Sequence, residues 1–186
     1  MKLLLENWRK YLNEAKLRVF DFDDTLARTD AKIILSKSDG STQILSPAEY
    51  AVYEPEPDDQ FDFSQFEGPL INPREVEAIT KVFRRVMDAG PGGRKVAILT
   101  ARAEGAKEGI ESFILKMGYS PNDIEIVTLG SSDPMLKASW IDQQIQQGYD
   151  DVYFVDDSHK NIKAVNLLKQ KYQEDPNIRI RAQEVD

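Results

Sequence analysis

The sequence predicts an α/β fold: a Rossmann-like, mostly parallel sheet with helices on both faces, carrying a small β-hairpin flap after its first strand. Three observations predict it. Short β-prone apolar runs recur along the chain, segments of helical length and amphipathic pattern separate them, and three of the runs end in polar residues. Strands alternating with helices at these lengths build a sheet covered on both faces. Ligands of such sheets bind beyond the C-terminal ends of the strands.

Leu4, Trp8, Tyr11, Leu12 and Ala15 fall at helical spacing with charged residues between them, so residues 1–16 read as an amphipathic helix or leader. A domain over 17–186 follows it. Residues 17–22 form a compact buried strand that runs straight into Asp23, Asp24 and Thr25. The flap is expected at about 27–71. Residues 32–37 and 43–45 flank Asp39 and Gly40, the strongest local hairpin signal. Residues 47–53 suggest a short helix, and the acidic, aromatic stretch up to Phe66 has too few periodic apolar positions for a core of its own.

Asn72, Pro73 and Glu75 resemble a capped helix start, after which Val76, Ile79, Phe83 and Val86 form an inward stripe. Residues 89–93 make a glycine-rich turn before a second strand at 95–100. No Ser or Thr follows Arg94 and Lys95, and a strand comes next instead of a helix, so this turn is no phosphate-cradling loop. Ile110, Phe113, Ile114 and Met117 line another helix, closed by Gly118. Then follow a strand at 124–129, a helix at 133–147 capped by Asp133 and Pro134, a strand at 152–155, a helix at 159–172 and a last strand near 178–181.

With 186 residues, 41% of them hydrophobic, the chain has the size of one α/β domain and a small insertion. A formal net charge of -8 disfavours an extended grip on nucleic acid or anionic lipid. The chain has no cysteine, which removes disulfides and thiolate metal sites and fits a reducing compartment. No apolar run approaches the roughly 18 residues that span a bilayer, so no membrane partner is expected. The expected location is the cytoplasm or, for a viral protein, the host's cytoplasm or the virion.

The polar strand tips gather in one crevice: Asp21, Asp23 and Thr25 after the first strand, Thr100 after the second, Asp156 and Asp157 after the fourth. Carboxylates brought within about 4–6 Å repel by a few kcal/mol per pair at an effective dielectric near 20. A divalent cation offsets that. All-oxygen donors with a single histidine in the chain suit Mg²⁺ and argue against zinc.

In these motifs the chain resembles the haloacid dehalogenase superfamily. The first motif of that family stands as Val19-Phe20-Asp21-Phe22-Asp23-Asp24-Thr25, the second as Val96-Ala97-Ile98-Leu99-Thr100, and the fourth as Val152-Tyr153-Phe154-Val155-Asp156-Asp157. The third is a lysine near the start of a helix, for which Lys137 stands in place and Lys116 competes from the far end of its helix. The resemblance covers about residues 17–170. It implies a Mg²⁺-dependent phosphatase in which Asp21 is the nucleophile and Asp23 the general acid and base. Asp21, the backbone carbonyl of Asp23 and Asp156 would hold the metal, with Asp157 orienting a metal-bound water. Thr100 and Lys137 would hold the phosphoryl oxygens, and Thr25 would support the loop.

Arg102 is open to two readings, a substrate contact or a surface cation. Asn161 is expected to bond loop backbone or Asp157, and His159 to sit in the first turn of its helix. Asp24, Asp123 and Asp133 read as helix caps or solvated loop acids. A response-regulator receiver places its paired acids after the first strand, the opposite order. The implied substrate is a small phosphate ester, a nucleotide or a nucleic-acid end, because the insertion is short and its acids, Glu54, Glu56, Asp58, Asp59 and Asp62, repel long polyanions. The alternative is a non-catalytic assembly protein that keeps the fold. Leu12-Asn13-Glu14 is similar to capsid-targeting leaders of some tailed bacteriophages, which are cut after Leu-x-Glu.

Overall fold

The computed structural model describes residues 15–90 and 92–185. The amphipathic segment expected at the N-terminus lies outside them except for Ala15 and Lys16, and Lys16 already belongs to a strand. In chain order the main elements begin with β1 (Lys16–Phe20), β2 (Ala27–Arg28), β3 (Ile33–Ser36), β4 (Thr42–Leu45), α1 (Pro47–Ala51), β5 (Gln60–Asp62) and β6 (Arg74–Glu75). Then come α2 (Glu77–Asp88), β7 (Arg94–Thr100), α3 (Lys107–Lys116), β8 (Glu125–Thr128), α4 (Pro134–Gln146), β9 (Asp151–Asp156), α5 (His159–Lys171) and β10 (Arg179–Glu184).

The main sheet has five parallel strands in the order β10-β9-β1-β7-β8. Both faces are covered, so its strands are apolar on both sides. Phe20, Val96, Ile98 and Val155 pack with Ile79 and Phe83 of α2 and with Ile110, Phe113 and Ile114 of α3. Leu17, Val19, Leu99, Val152 and Phe154 pack with Ala138 and Ile141 of α4 and with Ile162 and Val165 of α5. The Rossmann-like α/β arrangement expected from periodicity is therefore present.

The chain leaves β1 to build β7 and β8 on one side, then returns to place β9 and β10 on the other. The reversal makes a topological switch point between β1 and β9, the place where ligands of such sheets bind. Phe20 pairs with both Ile98 and Val155. That register brings the residues just beyond the three strand ends to one level.

The flap holds the expected hairpin, β3 with β4, whose turn uses Gly40 at φ +83°. Two features differ from expectation. The acidic aromatic stretch supplies a third strand, β5, antiparallel to β3. With Tyr50, Tyr53, Phe61 and Phe66 it covers buried Ile33, Leu35 and Leu45, so the flap has a small core after all. Its aromatics all come from the second half of the insertion, residues 50–66, and fold back onto the hairpin at its start.

The second difference lies at the exit of the flap. Asn72 takes φ +46°, and Arg74 and Glu75 pair with Arg28 and Ala27 instead of starting a helix. The helix begins at Glu77 behind Val76, which has no side-chain cap. Closing the neck of the flap thus overrides the local capping signal. No helix among the described residues is long and apolar enough to cross a membrane.

Candidate active site

Asp21 directly follows the last residue of β1, and its amide donates to the carbonyl of Val155 at 2.9 Å. It therefore stands beside Asp156, the final residue of β9. Both are buried, at 5% and 0% exposure. Lys137 joins them from the opening turn of α4, whose N-cap is Asp133 accepting from the Met135 amide at 2.9 Å. The Lys137 ammonium donates to Asp21 Oδ1 at 2.5 Å and to Asp156 Oδ2 at 2.7 Å. Lys116 is exposed at the end of α3, and of the two candidate lysines Lys137 is the one placed beside the acids.

Asp156 also accepts hydrogen bonds from the residues that follow it. The Ser158 amide donates to its Oδ1 at 2.8 Å, and Asn161 Nδ2 donates to the same oxygen at 2.9 Å. Asn161 thus serves Asp156, and not Asp157 or loop backbone as expected. The reason is that residue 161 lies in the first turn of α5, directly over the end of β9. His159 also lies in that turn, exposed, with Nδ1 3.0 Å from Glu184.

The loop after β1 folds back sharply. Leu26 and Ala27 both donate their amides to the carbonyl of Phe22 at 2.9 Å, and Asp24 accepts φ +54° to allow it. This turn buries Thr25 against Asp157: the hydroxyl donates to Asp157 Oδ1 at 3.2 Å and accepts from the Asp157 amide at 3.0 Å. Thr25 ties the first acidic loop to the last, which is the supporting role expected of it.

Thr100 is buried at the tip of β7, and its Oγ1 accepts from the amide of Arg102 at 3.2 Å. Arg102 is no surface cation. Its residue is 3% exposed, its Nε donates to Asp23 Oδ2 at 2.8 Å, and its Nη2 donates to Asp23 Oδ1 at 2.7 Å. Nη2 also reaches Thr29 Oγ1 at 3.1 Å, and Phe66 lies across the guanidinium at 4.9 Å. Sequence reasoning missed Thr29 and Phe66. They occupy opposite ends of the flap, and no local pattern links either to Arg102.

Electrostatics follow from this packing. Burial pushes the Asp21 carboxyl well above the ordinary carboxylate range, against the pull of Lys137, and the neighbouring acids push the same way. Burial works against the charge of Lys137, but Asp21 and Asp156 overcome it and hold the ammonium firmly protonated. Asp157 keeps an exposed face, yet partial loss of solvent around its carboxyl and the charge of Asp156 push it up to about 6.

One ligand oxygen from each of Asp21, Asp156 and Asp157 lies within 4.8 Å of the others. Three converging carboxylates with one lysine leave negative charge in excess, and the donors are all hard oxygens. The residues present therefore fit a hard divalent cation. The Asp23 carboxylate is engaged by Arg102 and stands outside this trio. No protein-family model and no curated protein matches the chain.

Proposed function

We propose that the protein is a Mg²⁺-dependent phosphomonoester hydrolase that works through an aspartyl-phosphate on Asp21. The observation that carries this reading is the placement of Asp21 and Asp156 side by side at the switch point, bridged by a buried Lys137. A carboxylate held by a lysine at the open end of a sheet is positioned to attack an electrophile arriving from the crevice. Asp157 within reach of both adds the third oxygen donor for a cation.

In this reading an oxygen of Asp21 attacks phosphorus as the bond to the leaving oxygen breaks, and Asp23 gives its proton to that oxygen. Water then attacks the same phosphorus, its proton returns to Asp23, and the bond to Asp21 breaks to release phosphate. Lys137 and Thr100 donate to the non-bridging oxygens, where transferring charge is stabilised by fixed donors. Mg²⁺, held by Asp21, Asp156, Asp157 and the Asp23 carbonyl, would supply charge neutralisation that lets two anions meet.

The substrate is a small phosphate ester, a nucleotide or a nucleic-acid end. The experiment is hydrolysis of para-nitrophenyl phosphate by the purified full chain, with and without Mg²⁺, in wild type and Asp21→Asn. The expected result is turnover that needs Mg²⁺ and vanishes in the variant. Equal rates in both proteins would end the assignment of Asp21.

A further inference from the structure

We propose that Phe66, contributed by the flap, is a positioning residue that aims Asp23 at the leaving group by holding the guanidinium of Arg102. This rests on the reading of Asp23 as the proton donor. The Arg102 side chain is sealed at 1% exposure, whereas that of Asp23 stays 27% exposed. The cation is thus fully inside the protein while the carboxyl keeps a face open to an arriving molecule.

The fork from Nε and Nη2 to the two Asp23 oxygens sets the plane of the carboxyl, because a guanidinium and a carboxylate dock rigidly in this arrangement. Each oxygen keeps a further lone pair, and the proton given to the leaving group is carried on one of them. The orientation of Asp23 is then only as fixed as that of Arg102. Apart from its two bonds to Asp23, the guanidinium has one hydrogen bond, from Nη2 to Thr29, and its Nη1 is buried with none. The face of Phe66 at 4.9 Å supplies a further restraint, a cation over the negative face of a ring.

Phe66 is itself held in place. It ends a one-turn 3-10 helix over Ser64–Phe66, packs on the flap core, and its neighbour Gln65 accepts from the Lys32 amide at 2.8 Å. The next residues wedge against the segment that follows Arg102. A Cβ at Gly105 would stand 2.1 Å from the carbonyl oxygen of Glu67, and one at Gly109 would stand 3.0 Å from Cγ of Leu70. Only glycine permits so close an approach. The flap limb at 65–70 is a fixed wall of the site, and the small core behind it steadies the proton donor.

Leaving-group dependence tests this. Specificity constants, kcat/KM, report the first phosphoryl transfer, so they sense proton donation to the leaving oxygen and not the later attack of water. The full-length protein is assayed with Mg²⁺ on phenyl phosphate, whose leaving group needs a proton, and on 2,4-dinitrophenyl phosphate, whose leaving group does not. Phe66→Leu is expected to lower kcat/KM for phenyl phosphate about tenfold, part of the roughly 10²–10⁴ that general-acid catalysis provides. It should leave the dinitrophenyl ester within about twofold, and Phe66→Tyr should restore both.

Phe66→Met, close in volume and without a ring, gives the same comparison should the leucine variant fail to fold. Equal losses on both esters, or no loss on either, would overturn the role of Phe66 while Asp21→Asn remains inactive. Wild-type rates in Asp21→Asn would instead remove the reading on which the role rests.

Discussion

Replacing Lys137 by methionine removes one buried cation and leaves two buried carboxylates facing each other. Asp21 and Asp156 are 5% and 0% exposed, and the ammonium touches both, at 2.5 and 2.7 Å. A single charge pair about 4 Å apart interacts by about 4 kcal/mol at an effective dielectric of 20, and much of that offsets the cost of taking the ions out of water. What survives on breaking a buried pair is about 3–5 kcal/mol, a large share of the roughly 5–15 kcal/mol that holds a domain folded. With a urea slope of about 2 kcal/mol per molar, Lys137→Met should lower the unfolding midpoint in chelator by about 2 M.

Mg²⁺ should then recover part of the loss, because the variant keeps the three acids without the competing ammonium. Turnover should still fall by about 10²–10³, the usual effect of removing one donor to a transferring group. Urea melts of both proteins in EDTA and in Mg²⁺ measure this directly. A variant as stable as wild type in EDTA, or one whose deficit Mg²⁺ leaves untouched, would refute the picture of a lysine neutralising a cation-binding acid pair.

Two further outcomes follow from the same structure. Asp157 titrates at about 6 in the metal-free fold against an ordinary value of 3.8, so its contribution to stability is full below about 4 and lost as pH rises through 6. Mg²⁺ needs the ionised carboxylate, so stabilisation by Mg²⁺ should grow over that window. Denaturant midpoints across pH 4.5 to 7 check both signs, and Asp157→Asn should flatten the metal-free decline near pH 6; an unchanged decline removes Asp157 as its source. Gly105→Ala should destabilise by about 1–3 kcal/mol, the usual cost of overpacking, since its Cβ would lie 2.1 Å from a backbone oxygen of Glu67. Thermal melting measures it, and an unchanged midpoint would mean that the flap limb moves freely away.

Some of this protein was written locally. The apolar runs leading into Asp21, Thr100 and Asp156, the Asp133-Pro134 cap and the Asp39-Gly40 turn each lie within a few residues, and the elements form where those signals stand. The position of Lys137 followed too, because a helix start places its first turn at the strand tips. The helix expected from Asn72 did not form there, and the strand at Gln60–Asp62 was not expected although Gln60-Phe61-Asp62-Phe63 alternates polar and apolar, because the run is only a few residues long.

Sequence alone determined which residues are apolar on which period, and hence the strands, the helices and the acids at their ends. Only the tertiary structure decided who meets whom. Arg102 grips Asp23 across 79 positions and Thr25 meets Asp157 across 132, while Phe66 and Thr29 converge on one guanidinium from the two ends of the flap. Periodicity is a property of a short window of chain, whereas these contacts exist only after strand register and flap closure bring distant residues to the same point in space.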